Sequence, residues 1–550
     1  MRRVNFKGKT IYVANKLPEA KYRKELSIHF LNSLGSGPYS TVETSRRAIE
    51  IGYEFYCSKF ISFCHNQNSL RFYQFVMAMN ENATEIMHLH SDSELPNGLT
   101  LRYLSIYRRV LKWTLEQACD INLHIDEPQD NEYAKRCLQR LNELMFLGQM
   151  AFLFATMFAE QEMVEDIAEI VFDEDNLYEL RHKHHYDLVF QYIERTHGPQ
   201  SIKYVNDENG VQDLYENLSH CFEIDSAIIP TVIQELHKLN KDKGGQYCGF
   251  GWESLPLSAQ SMINSDYKKA EQLFKGLTLD RTNKLNLREV IRKPNSPDRM
   301  ICRPILIWHV NNQPFTFIGM NSYSESIREL SSNCIPWGIA PNEWKENRKF
   351  RQYVHSKEDA HDKWLDDKFE ETIKDEKLNY DRNITSLLGR KMTTSLIRHE
   401  VGEIDFLVPV PDLNVLYIID CKHLKGRYDM MNQRNDYKNF TEPKGFNEKV
   451  SNKVHFIREN LEKVSEHFNI KYGTNDFNFT EYHVKGAFII NTHTFYMYNS
   501  DLRIYSVDAG IRLMIGKDKD PVFTVERKSA KGSTVSQIVH PYFRVPEGLD

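Results

Sequence analysis

The segment from Glu400 to Gly426, EVGEIDFLVPVPDLNVLYIIDCKHLKG, constrains the fold of this chain more than any other stretch. It holds two apolar, β-branched runs parted by Pro409, Pro411, Asp412 and Asn414. Prolines and short polar side chains supply turn conformations, so the pattern predicts a β-hairpin with strands over about 403–410 and 415–422. Residues i and i+2 of a strand share a face, which puts Asp420 and Lys422 together at the end of the second strand. Asp405, early on the first strand, is placed to meet them. Charges at the end of a buried strand are costly unless they are paired or bind a metal.

Two carboxylates (Asp405 and Asp420), the carbonyl of Cys421 and several waters make a hard oxygen site suited to Mg²⁺ or Mn²⁺. A lysine beside such a site can orient or deprotonate a water, or neutralise charge developing on phosphorus. Metal plus positioned water is the chemistry of phosphodiester hydrolysis. D/E-x-K by itself is uninformative, for it recurs at Glu19–Lys21, Asp266–Lys268, Glu343–Lys345 and Asp375–Lys377. Those copies lie in polar or helical contexts. Only Asp420 ends an apolar β-run, VLYII, that follows an Asp-bearing strand.

The arrangement resembles the PD-(D/E)xK nuclease superfamily, the restriction-endonuclease-like fold, over about residues 355–510. The resemblance implies that Asp405 is the first strand acid and Asp420-Cys421-Lys422 the D-x-K motif. It implies a helical acid too: Glu370 in Lys368-Phe369-Glu370-Glu371 is the best match and Glu371 the next, with Glu400 and Glu403 as alternatives nearer the hairpin. Ile404 stands where the family has Pro, and Asp420 where Glu is commoner. The implied catalytic set is Glu370, Asp405, Asp420 and Lys422, with Asp405, Asp420 and Cys421 on the metal. Gln433 and Tyr437 resemble the Q-x-x-x-Y of RecB-like exonucleases, though a polar loop is the plainer reading. Lys449 and Lys453, four apart on the following helix, are candidate phosphate contacts, with a solvated helix face as the plainer reading. The implied function is Mg²⁺-dependent endonucleolytic cleavage of DNA, with RNA as the alternative substrate. The alternative is a nuclease-like module that binds nucleic acid or a partner without cutting.

The rest of the chain sets the context. Residues 21–290 carry apolar residues at three- and four-residue spacing and read as mainly helical. RPILIWHV and PFTFIGM, parted by NNQ, read as two strands around a tight turn, followed by helix SESIREL. A charged helix is expected over about 355–378. Mixed texture follows, with strands at VKGAFIIN, TFYMYN and LRIYSVD and a helix over EKVSNKVHFIRENLEKVSEHF. The expected fold class is α+β and multidomain: helical accessory region 1–293, hairpin-bearing connector 294–350 and nuclease-like α/β domain 351–550 with a central mixed sheet. The accessory region would bind a protein partner or a second copy of the chain. A large accessory domain fused to such a nuclease is an arrangement of bacterial defence and restriction systems, by analogy alone.

The formal net charge is −6, of which residues 351–550 carry −1. That excludes a bulk electrostatic nucleic-acid binder but not a local cleft. Lys422, Lys425 and Arg427, with Arg390, Lys391 and Arg398, could neutralise a few phosphates. The apolar stretch Leu144–Ala159 has 16 residues between Glu143 and Glu160. It is shorter than a membrane span needs and reads as a buried core helix, so no membrane partner is expected. Nine cysteines without metal-knuckle spacing point to reduced thiols in a cytoplasmic compartment. Arg181-His-Lys-His-His185 lacks the further ligand of a metal set and reads as a solvated, basic helix face.

Overall fold

The computed structural model describes residues 1–89, 94–96, 99–125, 131–183, 186, 210–225, 230–235, 247–263, 266–425, 429–529 and 532–543. The fold mixes helices and strands in two compact units. The first comprises Met1–Phe158, Ala168–Arg181 and Val205–Glu358, the second Ala159–Ile167, His182–Tyr204 and Asp359–Asp550. The expected connector 294–350 is therefore part of the first unit. Two short pieces from the first half of the chain belong to the second.

The first unit is built on long helices such as Val42–His65 and Leu70–Leu89. Its five-stranded sheet includes the expected hairpin, Ile305–Val310 with Gln313–Gly319. The hairpin turns through Asn311 (φ 50°) and Asn312 (φ 63°), a pair of left-handed residues that matches the twist of the flanking strands. Glu81 sits over the start of helix Met320–Glu329. It accepts from the backbone N–H of Asn321 (2.7 Å) and of Ser322 (3.1 Å), two donors that the first helical turn cannot satisfy internally. Its carboxyl group lies 2.2 Å from where a Cβ on Gly319 would stand, so that position needs glycine. Helix Asn131–Met163 contains the long apolar stretch. It is long and apolar enough to cross a membrane by length and composition, and 61% of its apolar window is buried within the protein. Cys57, Cys64, Cys119, Cys137, Cys221, Cys302, Cys334 and Cys421 are free thiols.

The second unit holds the hairpin expected over residues 403–422. Its sheet runs in the order β1 (Asp381–Ile384), β2 (Ile404–Val410), β3 (Val415–Lys422), β4 (His483–Ile490) and β5 (Arg503–Ser506). β1, β2 and β3 pair antiparallel, whereas β4 and β5 continue parallel to β3. The β2–β3 turn is a single 3-10 turn over Pro411–Leu413 closed by Asn414 in the left-handed region. Helix α1 (Arg348–Asp375) lays Leu365, Phe369 and Ile373 on one face of the sheet, against Phe406, Val408, Tyr417 and Ile419. The crossover from β3 to β4 contains helices α2 (Met430–Thr441), α3 (Phe446–Glu459) and α4 (Leu461–Tyr472). Ile457, Val464 and Phe468 cover the other face, against Ile404, Leu407, Leu416 and Ile418. Both faces of β3 are buried, which is why its sequence is an unbroken apolar run and not an alternation.

Three local expectations change. TFYMYN forms a 3-10 turn, Phe495–Tyr498, instead of a strand, because it bends back between β4 and β5. The helix expected over 448–468 breaks at Asn460 into α3 and α4. His182 ends strand Tyr178–His182 and bonds Glu160 at 2.9 Å, so it is not on a helix face. His184, His185 and Arg427 lie outside the described residues.

Candidate active site

The ladder between β2 and β3 pairs Phe406 with Ile419, and its next step puts Asp405 opposite Asp420. Backbone pairing stops there. The N–H of Cys421, which would seek a carbonyl on β2, donates instead to Asp405 Oδ2 at 2.7 Å. On its other edge β3 stays paired with β4 through Lys422. The two Asp side chains thus gather where one neighbouring strand has let go and the other still fixes the backbone.

Asp420 is 3% exposed, and both its oxygens carry an ammonium group. Lys422 Nζ lies 3.0 Å from Oδ2, and Lys453 of α3 bonds Oδ1. Burial works against the charged form, but the charges of Lys422 and Lys453 prevail and hold the Asp420 carboxyl below the usual range. Lys422 is held above its usual range: burial opposes this, and Asp420 and then Asp405 outweigh it. Asp405 behaves oppositely. Burial, then the charge on Asp420, push its carboxyl up to about 7.

The helical acid at this end of the sheet is Asp366. Ligand atoms of Asp366, Asp405 and Cys421 all lie within 4.8 Å of one another. Asp366 is also raised, chiefly by burial, although the Cys421 side chain hydrogen-bonds it. Glu370, the expected helical acid, sits one turn further along α1 and is engaged elsewhere. Tyr380 and Arg382 donate to it, and Lys374 Nζ lies at 3.0 Å. The Tyr380 bond is the leading cause that holds its carboxyl at about 2, against burial and with help from Lys374 and Arg382. Glu371 pairs with Lys368 at 2.8 Å, and Glu400 and Glu403 are exposed.

The donor set suits a hard divalent cation, with a changed membership. Asp366 and Asp405 are two carboxylates whose burial favours the protonated form, and they converge closely enough for oxygens at roughly 2.0–2.6 Å from one ion. Asp420 already has its charge matched twice. It stands behind the pair as the group that holds Lys422 and Lys453. Cys421 presents its thiol side chain to Asp366 as well as its backbone to Asp405; burial first, then Asp366 and Asp405, push that thiol well up, so it is a protonated donor.

Among the other expected residues, Gln433 is buried and accepts from the Phe495 N–H at 2.5 Å and Thr494 Oγ1 at 3.1 Å, so it holds the 3-10 turn. Tyr437 packs edge-on against Tyr496. Lys453 is buried on Asp420 and not on a solvated face, while Lys449 is exposed. Lys391 and Arg398 are exposed, and Arg390 bonds Asn475 at 2.6 Å. Asp366 had a weak signal in the sequence: it follows Leu365 as Glu370 follows Phe369, on the same flank of the buried stripe. Which helical turn abuts the strand ends is a tertiary fact that the stripe does not encode.

Comparison of the chain with family models, with curated proteins and with solved structures returns no match.

Proposed function

We propose that the second unit is a restriction-endonuclease-like, metal-dependent nuclease that hydrolyses DNA phosphodiester bonds. The observation that carries this reading is the convergence of Asp366 and Asp405, both half-buried, beside a Lys422 fixed by Asp420. A hard cation such as Mg²⁺ or Mn²⁺ held by Asp366 and Asp405 would supply Lewis acidity and a more acidic water. The Cys421 N–H fixes the rotamer of Asp405. Lys422, kept cationic by its 3.0 Å pair with Asp420, stabilises negative charge on the phosphoryl oxygens instead of accepting a proton. Lys391 and Arg398 are exposed cations that would meet the phosphate backbone. By analogy, the first unit recognises a partner or regulates access, as accessory domains do in bacterial defence and restriction systems.

One observation favours a second reading, a nucleic-acid or partner-binding module that does not cut. The Lys422–Asp420–Lys453 triad is complete without a metal. The two readings separate on plasmid and linear DNA with Mg²⁺. Asp405→Asn, Asp366→Asn and Lys422→Ala should each lower cleavage at least about 100-fold, by analogy with the loss of a transition-state charge contact. Cleavage undiminished in all three would overturn the site assignment. DNA binding by the wild type without cleavage, at any length or sequence, would establish the second reading.

A further inference from the structure

β1 ends at Ile384, paired with Ile404, the residue before Asp405. The chain that leaves β1 therefore emerges at the end of the sheet where the carboxylates gather. It forms a small hairpin, Ser386–Leu387 with Thr394–Ser395, before it returns to β2. We propose that this hairpin is a DNA-distorting wedge: Met392 and Ile397 press into the base stack of a duplex while Lys391 and Arg398 hold the phosphates beside them. That ligand follows from the nuclease reading, and the wedge specifies how the duplex is held and deformed.

Residues 386–399 carry Arg390, Lys391 and Arg398 and no carboxylate. Lys391 and Arg398 are exposed. Met392, 74% exposed, and Ile397, 63% exposed, are the most exposed large apolar side chains among the described residues of the second unit. Bare apolar groups among cations, with no acid in the stretch, fit a ligand with an apolar interior and an anionic rim. Duplex DNA is such a ligand, with stacked bases between two rows of phosphates. Unbranched and branched aliphatic side chains such as Met and Ile are the groups that enter a base step and kink it. Position selects the nucleic acid over a protein partner: a phosphodiester at Asp366 and Asp405 lies at the sheet end from which the hairpin leaves.

The hairpin is braced as a wedge must be. Leu387 and Leu396 are buried in one cluster with Val464 and Phe468 of α4. The Leu388 N–H donates to His467 Nδ1 at 3.0 Å, and the Arg390 N–H donates to Glu466 Oε1 at 2.8 Å. His467 Nε2 in turn donates to Asp381 Oδ2 at 2.7 Å, so the brace runs back to β1. The Arg390 guanidinium bonds Asn475 at 2.6 Å, just beyond α4. A Cβ on Gly389 would stand 2.4 Å from the Met392 carbonyl oxygen, so the loop closes too tightly for any other residue there. Parting a base step costs a few kcal/mol, and only a fixed loop can deliver that force.

The test uses the full-length protein on a closed circular plasmid, which offers many local sequences at once. Ca²⁺ replaces Mg²⁺ so that the circle stays closed. A metal-independent type I topoisomerase relaxes the plasmid with the protein bound. Unstacking by a wedge unwinds the duplex and leaves a linking-number shift once the protein is removed. The wild type should give a shift that grows with bound protein. Met392→Ala should remove most of it at matched occupancy, and Ile397→Ala a part. Both side chains are exposed, so these variants should fold. Benzoylphenylalanine in place of Met392 should photo-crosslink to the DNA. No shift with saturating wild type, or a shift unchanged in Met392→Ala, would overturn the proposal. Crosslinking of position 392 to a second copy of the chain instead of DNA would overturn it in favour of a protein interface. None of these readouts needs strand cleavage. A wild type that unwinds the plasmid but does not cut it with Mg²⁺ keeps the wedge and discards the nuclease, and one that cuts without unwinding does the reverse.

Discussion

Replacing Lys453 with methionine should reveal how the buried charges of the second unit depend on one another. Lys453 is 6% exposed and Asp420 3% exposed, so neither charge can recover solvent once the other is gone. The companion pair, Lys422 with Asp420 at 3.0 Å, sets the scale. At an effective dielectric near 20 such a contact is worth roughly 5 kcal/mol before desolvation. Breaking one side of a buried pair costs about 3–5 kcal/mol, because the stranded charge keeps its burial penalty. Lys422 remains on Asp420 after the substitution, so the lower end, about 3 kcal/mol, is expected. Asp420→Asn deprives both lysines of their partner and should cost the upper end, about 5 kcal/mol. The double variant removes both members of the Lys453–Asp420 pair, leaving only Lys422 without its partner, and should cost less than the sum by about 2 kcal/mol or more. The assay is urea unfolding of protein labelled with fluorotryptophan and followed by ¹⁹F NMR. The Trp364 resonance reports the second unit, and the other five tryptophans report the first. Additivity of the two single variants within about 0.5 kcal/mol would refute the coupling. So would a cost below about 1 kcal/mol for Lys453→Met, which would mean that Lys453 is solvated.

Three further outcomes are expected. Asp366→Asn should abolish Mn²⁺ binding, measured by titration calorimetry, whereas Glu370→Gln should leave it within about threefold and lower stability by roughly 1–2 kcal/mol through its lost charged hydrogen bonds; the reverse pattern would restore Glu370 as the helical acid. Burial raises Glu81 from 4.5 to about 7, so the folded first unit holds a proton that the unfolded chain releases. Its contribution is therefore full below about pH 4.5 and lost as pH rises through about 7, a fall of roughly 3 kcal/mol. Glu81→Gln should remove that slope from denaturation curves read through the first-unit tryptophans, and a slope that survives would assign the titration to another group. DNA affinity should drop steeply from 50 to 200 mM salt, and Lys391→Ala with Arg398→Ala should flatten the log–log slope by about 2; an unchanged slope would remove both residues from the interface.

The parts of the second unit that were legible in the sequence are those set by local pattern. VLYII between a proline-rich turn and Asp420 could only be a buried strand, and the β2–β3 ladder pairs it as the hairpin requires. The hairpin over 305–319 was legible for the same reason, since two asparagines supply its left-handed turn. What failed depends on where elements meet. Asp366 and Glu370 occupy equivalent places beside the same apolar stripe, and only the packing of α1 on the sheet decides which one reaches the strand ends. Lys453 looked like half of a solvated lysine pair until α3 settled over Asp420.

The interrupted course of the second unit sets a clock on its assembly. Glu162 belongs to that unit and accepts from Arg434 at 3.1 Å and Lys438 at 3.2 Å. Arg434 follows Glu162 by 272 residues. At ribosomal speeds of roughly 5–20 residues per second, Glu162 waits about 15–55 s for that partner to be synthesised. A nascent chain truncated at 350 therefore carries Glu162 before Arg434 and Lys438 exist, and a chain begun at 351 lacks Glu162 for good. Cutting the gene at the apparent boundary would separate neither unit cleanly, whereas stalling the ribosome beyond residue 438 should be the first point at which the second unit can close around its early piece.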